Sequence, residues 1–93
     1  MKKYGLMIHT ADNVIIVTDN VEPGDEVEYL RSGEKKEVKA LEHIQIYHKI
    51  AVRPIAEGEK VIKYGESIGD ATQDIETGMY VHTHNLSSLA KGE

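Results

Sequence analysis

Apolar positions in this chain fall in short aliphatic runs, each closed by glycine, proline, asparagine or aspartate. Tyr4 to His9 predicts a first strand, and Thr10-Ala11-Asp12-Asn13 a turn, because Asp and Asn side chains bond to nearby backbone. Val14 to Thr18 is a continuous apolar run of strand length, as expected of a strand buried on both faces. Val27 to Leu30 alternates up to the hairpin signal Arg31-Ser32-Gly33-Glu34, and Val38 to Ala40 is the returning strand. Pro54 keeps residues 52–54 out of any central strand, since it cannot donate to a ladder. Val61 to Lys63, Tyr64-Gly65-Glu66 and Ser67 to Gly69 predict a second hairpin, and Met79 to His82 a last strand. Leu86 to Ala90 is expected to form one helical turn capped by Asn85, with Lys91-Gly92-Glu93 a frayed end.

One template recurs inside this pattern. Asn20-Val21-x-x-Gly24-x-x-Val27, Pro54-Ile55-x-x-Gly58-x-x-Val61 and Asp74-Ile75-x-x-Gly78-x-x-Val81 place a buried aliphatic, a tight turn and a strand entry at one spacing. Glycine suits such a turn because it reaches positive φ without penalty. His43-Ile44-x-x-Tyr47-x-x-Ile50 is a fourth copy with tyrosine in glycine's place, an arrangement expected to bring an aromatic hydroxyl near His48 and Lys49. The irregular spacing argues for one turn used repeatedly rather than for a solenoid. Many short strands with Gly-rich turns predict a compact, irregular, all-β fold.

The chain has 93 residues, enough for one domain (1–93) with a thin core. It holds no Trp, Phe or Cys, so the core must come from Val, Ile, Leu, Met and Tyr, and disulfides and zinc-thiolate sites are excluded. Eleven basic residues stand against 16 acidic ones, a formal charge of -5. That balance argues against nucleic acid as a partner, which would need clustered Lys and Arg. No segment approaches the ~18 apolar residues of a membrane span, and a cytoplasmic location is expected.

The candidate chemistry lies in the histidines. On a strand, His82 and His84 would point to one face and converge on one divalent ion or one carboxylate, with a third ligand still to be supplied. His48 can exchange a proton near neutral pH, and Lys49 can hold a carboxylate as a point charge. His9 and His43 make weaker candidates. Asp70 and Asp74 read as turn residues, and no serine sits in a nucleophile-elbow context.

The opening Ile8 to Val14, His48-Lys49-Ile50-Ala51, Gly58 to Gly65, Ile68-Gly69-Asp70-Ala71-Thr72 and Val81-His82-Thr83-His84-Asn85 resemble, in that order, the N-terminal SAF module of the altronate/galactarate dehydratase family. The small subunit of sulfolactate sulfo-lyase shares the likeness. The resemblance covers most of the chain, and Tyr47 departs from the family's glycine. It implies a small β-clip (SAF-like) fold, of the kind shared with antifreeze-like and sialic-acid-synthase C-terminal domains. It further implies a part in a lyase that eliminates water from a sugar acid, or sulfite from sulfolactate, beside a large catalytic subunit. Under it His48 and Lys49 become catalytic candidates, Lys49 and Asn85 substrate contacts, and His82 and His84 ligands of a divalent iron or manganese. The competing expectations are a stand-alone, non-catalytic module for carbohydrates or acidic metabolites and a purely structural assembly domain; homo-oligomerisation is left open.

Overall fold

The computed structural model describes residues 2–88. Nine strands follow one another, with no helix among the described residues: β1 (Lys2–Leu6), β2 (Val14–Val17), β3 (Glu26–Arg31), β4 (Glu34–Lys39), β5 (Lys49–Ala51), β6 (Lys60–Lys63), β7 (Glu66–Ala71), β8 (Tyr80–Val81) and β9 (Leu86–Ser88). They form a six-stranded sheet in the order β4-β3-β1-β2-β5-β8 and a three-stranded sheet in the order β6-β7-β9. Neighbours are antiparallel except β1 and β3, which run parallel. The fold is thus the small all-β domain that the pattern predicts.

The recurring template is the organising unit, and it begins four residues before the aliphatic position. Numbering from that start, positions one, five and eleven are Val17, Val21 and Val27; Ala40, Ile44 and Ile50; Ala51, Ile55 and Val61; and Ala71, Ile75 and Val81. All twelve are buried, and burying each Val or Ile contributes about 1.5–3 kcal/mol. The units work in pairs. Val21 and Ile44 exchange both backbone bonds, as do Ile55 and Ile75. The amide at position eight donates to position one of the mate: Gly24 to Ala40, Tyr47 to Val17, Gly58 to Ala71 and Gly78 to Ala51. Position one donates back to position nine of the mate, as Val17 does to His48 and Ala51 to Met79.

Each pair encloses its own core. One contains Val17, Val21, Val27, Ala40, Ile44 and Ile50; the other contains Ala51, Ile55, Val61, Ala71, Ile75 and Val81. Each pair also carries a hairpin between its two units, β3–β4 and β6–β7, turned at Ser32-Gly33 and Tyr64-Gly65 through positive φ at both residues. The chain is therefore a tandem of two similar halves, 17–50 and 51–81. Strands β2 and β5 bind the halves together, because Val14 and Ala51 enter the second core while Ile15 and Ile50 enter the first.

Two expectations need correction. Strand β8 stops at Val81, and residues 82–85 form a bend and turn rather than strand. Asn85 causes this: its Oδ1 accepts the His82 N–H at 3.0 Å and its N–H donates to His82 O at 3.0 Å, folding the chain back. Leu86–Ser88 then leaves as a strand pairing with β7, where a helical turn was expected. Backbone pairing with an open strand edge outweighs the cap signal of Asn85. The rest of the proposed tail, 89–93, lies outside the described residues.

Candidate functional site

The site forms where the two halves meet, along β5 and β8. Their register sets Lys49 opposite Val81 and Ile50 opposite Tyr80, which puts His48 across from His82. Their rings lie 5.0 Å apart between centroids. The Tyr80 hydroxyl sits 2.6 Å from His48 Nδ1, and its ring stacks on His82 at 5.5 Å with a 10° interplanar angle. His84 meets the same tyrosine at 5.4 Å. Three imidazoles thus surround one phenol.

His48 is free to join this cluster because of its place in the template. At position nine of their units, Asp25 and Glu59 use their carboxylates to accept the Glu22 and Ala56 amides and so close their own turns. An imidazole stands there in the second unit and turns to Tyr80 instead. Among the described residues the other His48 ring nitrogen makes no hydrogen bond.

The electrostatics of the cluster favour neutral imidazole at its centre. Partial burial, then the neighbouring His48, Lys49 and His84, hold His82 below the usual histidine range. Lys49 is half-buried, and burial with Lys63 nearby holds its ammonium below the usual lysine range. Lys49 is therefore a partly desolvated cation.

Of the sequence candidates, the structure brings His48, His82 and His84 together around Tyr80, with Lys49 close enough to act electrostatically on His82. Asn85 is 1% exposed, with Nδ2 donating to Tyr80 O at 2.8 Å, so its amide is spent on the loop carrying both histidines. Tyr47 turns away at 69% exposure, and the hydroxyl against His48 belongs to Tyr80. His43 pairs with Glu22 at the surface, and the His9 ring lies against Gly65. Asp74 accepts the Glu57 amide, as a turn residue would, whereas Asp70 stands within β7, opposite Lys60 and paired with it, rather than in a turn. Sequence reasoning passed over Tyr80, and also Glu42, whose carboxylate accepts the Tyr80 N–H at 2.9 Å. The available signal was Tyr80 standing two residues before His82.

Among the described residues no group of three or more His, Asp or Glu side chains is arranged to hold a metal ion. His82 and His84 offer two imidazoles with the Tyr80 ring in contact with both. Among the described residues these two imidazoles are thus without a third protein ligand beside them. No helix among the described residues is long and apolar enough to cross a membrane.

Fold and site together define a small all-β domain of the SAF type, bearing an imidazole–phenol cluster on the seam between its halves. The chain belongs to the altronate/galactarate dehydratase SAF domain family, whose model matches residues 3–89. It is 38% identical over 88 residues to altronate dehydratase of Bacillus subtilis, covering 95% of this chain and 17% of that one. Against altronate dehydratase of Escherichia coli the identity is 39% over 80 residues, 86% of this chain and 15% of the relative. The (2R)-sulfolactate sulfo-lyase subunit alpha of Chromohalobacter salexigens is 34% identical over 86 residues, covering 88% of this chain and 92% of that subunit. The chain thus spans about a sixth of the altronate dehydratases it matches and nearly all of a lyase subunit.

Proposed function

We propose that this chain is the small subunit or N-terminal module of an altronate/galactarate-dehydratase-like lyase, acting on a hydroxy acid beside a large catalytic polypeptide. The observation that carries the reading is the His48–Tyr80 hydrogen bond on the seam, with Lys49 next to it and His82 across from it. Elimination from a hydroxy acid takes a proton from the carbon next to the carboxylate and expels a β-substituent as water, or as sulfite from sulfolactate. A proton acceptor or donor and a cation for the carboxylate are the groups required. His48, held at Nδ1 by Tyr80, exchanges a proton through its free nitrogen, and Lys49 holds the substrate carboxylate. His82 and His84 face the same ligand, and Asn85 acts on it through the loop it shapes.

A divalent iron or manganese would stabilise enediolate charge. On this reading its donor set is completed by the large polypeptide, and none of the roles above passes through it. The partner is further supported by the match to most of an alpha subunit and by Tyr4, Leu6, Ile8 and Leu30, each more than half exposed around β1 and β3. Such a face is the kind a large chain covers.

The test is reconstitution. The tagged chain should recover a large polypeptide from its native cells, and the complex should eliminate water or sulfite from a sugar acid or sulfolactate. In that complex, His48→Gln should lower kcat about 100-fold or more, while Lys49→Gln should mainly raise KM. Full activity in both variants would remove this chain from the chemistry.

A further inference from the structure

A second concave site lies on the face built by β3, β4 and the 10–13 loop, and it shares no lining residue with the histidine cluster. It is a cavity of about 310 Å3 lined by Arg31, Lys36 and Arg53, with Tyr29, Met7 and Asp12. Three cations meeting in one concavity is unexpected in a chain of charge -5 and points to a field kept for an anion.

The arginines are tethered but not neutralised. Arg31 Nε donates to Thr10 O at 3.3 Å, and Arg53 Nη2 donates to Ala11 O at 3.1 Å. Two guanidiniums thus hang from consecutive carbonyls of one loop, each with N–H groups to spare. Among the described residues no carboxylate ion-pairs with either, whereas Lys36 is shared with Glu34 at 3.5 Å. Asp12 lines the same cavity and offsets at most one of the three positive charges, without an ion pair to either arginine. It is 1% exposed and its two oxygens accept the Gly65 N–H at 2.8 Å and the His9 N–H at 3.1 Å. Both arginines also act on the buried Tyr29 hydroxyl, opposing the rise in pKa that its burial causes. That places three kinds of donor around one space.

We propose that this cavity binds a small oxyanion metabolite through the paired guanidiniums of Arg31 and Arg53, with Lys36 as a further charge and the Tyr29 hydroxyl as a neutral donor. Planar, two-pronged arginine donors fit carboxylate and phosphoryl oxygens alike. The oxyanion is therefore the shared chemistry, and its source is what the experiment separates. This site does not depend on the lyase reading: the two share no side chain, and either can fail alone.

The test uses the full 93-residue chain labelled with 15N. It is titrated at constant ionic strength with inorganic phosphate, with tartrate as a hydroxycarboxylate, and with chloride as the control, following the Nε–H signals of Arg31 and Arg53. Saturable shifts of both signals with phosphate alone identify a phosphoryl ligand, and with tartrate a carboxylate one. Arg31→Gln and Arg53→Gln, both at exposed positions, should each weaken that binding about tenfold or more while amide dispersion stays that of the parent. Shifts no different from those in chloride would overturn the proposal. So would saturable binding that both variants retain.

Discussion

Tyr47 occupies a backbone conformation that three equivalent positions give to glycine. Its φ is 69°, against 92°, 88° and 93° at Gly24, Gly58 and Gly78. A side chain in this region costs roughly 1–2 kcal/mol, yet the residue is 69% exposed and its turn is otherwise complete. Packing contributes little there, so Tyr47→Gly should leave stability within about 1 kcal/mol of the parent, the released strain offset by added chain entropy. The other three positions are not equal. A Cβ at Gly58 meets nothing within 4 Å, while at Gly78 it would land on the Lys39 carbonyl oxygen. Gly58→Ala should therefore cost about 1–2 kcal/mol and Gly78→Ala about 3 kcal/mol or more, read as urea midpoints. Equal losses would refute the close approach at Gly78. The glycine turn was legible in the sequence; which glycine lies against another strand was not, since that neighbour is far off in the chain.

Among the elements, the 82–85 turn bears most on the proposed function. Sequence alternation places His82 and His84 on one face of a strand, and they do share a neighbourhood, but for another reason. Asn85 bends the loop with both ends of its amide, and Tyr80 gives both rings a surface. Asn85→Ala should cost about 1–3 kcal/mol, as expected for buried backbone groups left unpaired. It should also shift the ring signals of His82 and His84 while those of His9 and His43 stay in place. Asn85→Asp keeps the acceptor for the His82 N–H and loses the donor to Tyr80 O, so its loss should fall between. Unmoved His82 and His84 signals in Asn85→Ala would show that the loop holds its shape without that amide. The strand expectation failed because a strand alternates only while its ladder lasts, and side-chain hydrogen bonds end this one at Val81.

Across the whole molecule, two small cores share two strands. Ile44 and Ile75 hold equivalent template positions, one per core, and both are fully buried. Ile44→Ala and Ile75→Ala should each cost about 2–5 kcal/mol. That is a large share of the roughly 5–14 kcal/mol available to a chain of 93 residues. Because β2 and β5 place residues in both cores, each variant should still unfold in a single transition, with the same midpoint by circular dichroism and by tyrosine fluorescence. A two-step melt would mean that the halves unfold independently.

By itself the sequence determined the all-β class, both hairpins, the repeated turn and the residue types able to do chemistry. These are local properties: β-branched runs, glycines at positive φ and histidines near a strand end act within a few residues of themselves. Only the tertiary structure decided how the four turns exchange bonds in pairs, and that Val17, Ala40, Ala51 and Ala71 begin each unit. Alanine carries no pattern of its own until a mate is packed on it. The β5–β8 register, not spacing along the chain, brought Tyr80 to His48. Packing also hung Arg31 and Arg53 from one loop, because residues far apart in sequence meet only once the two cores have closed.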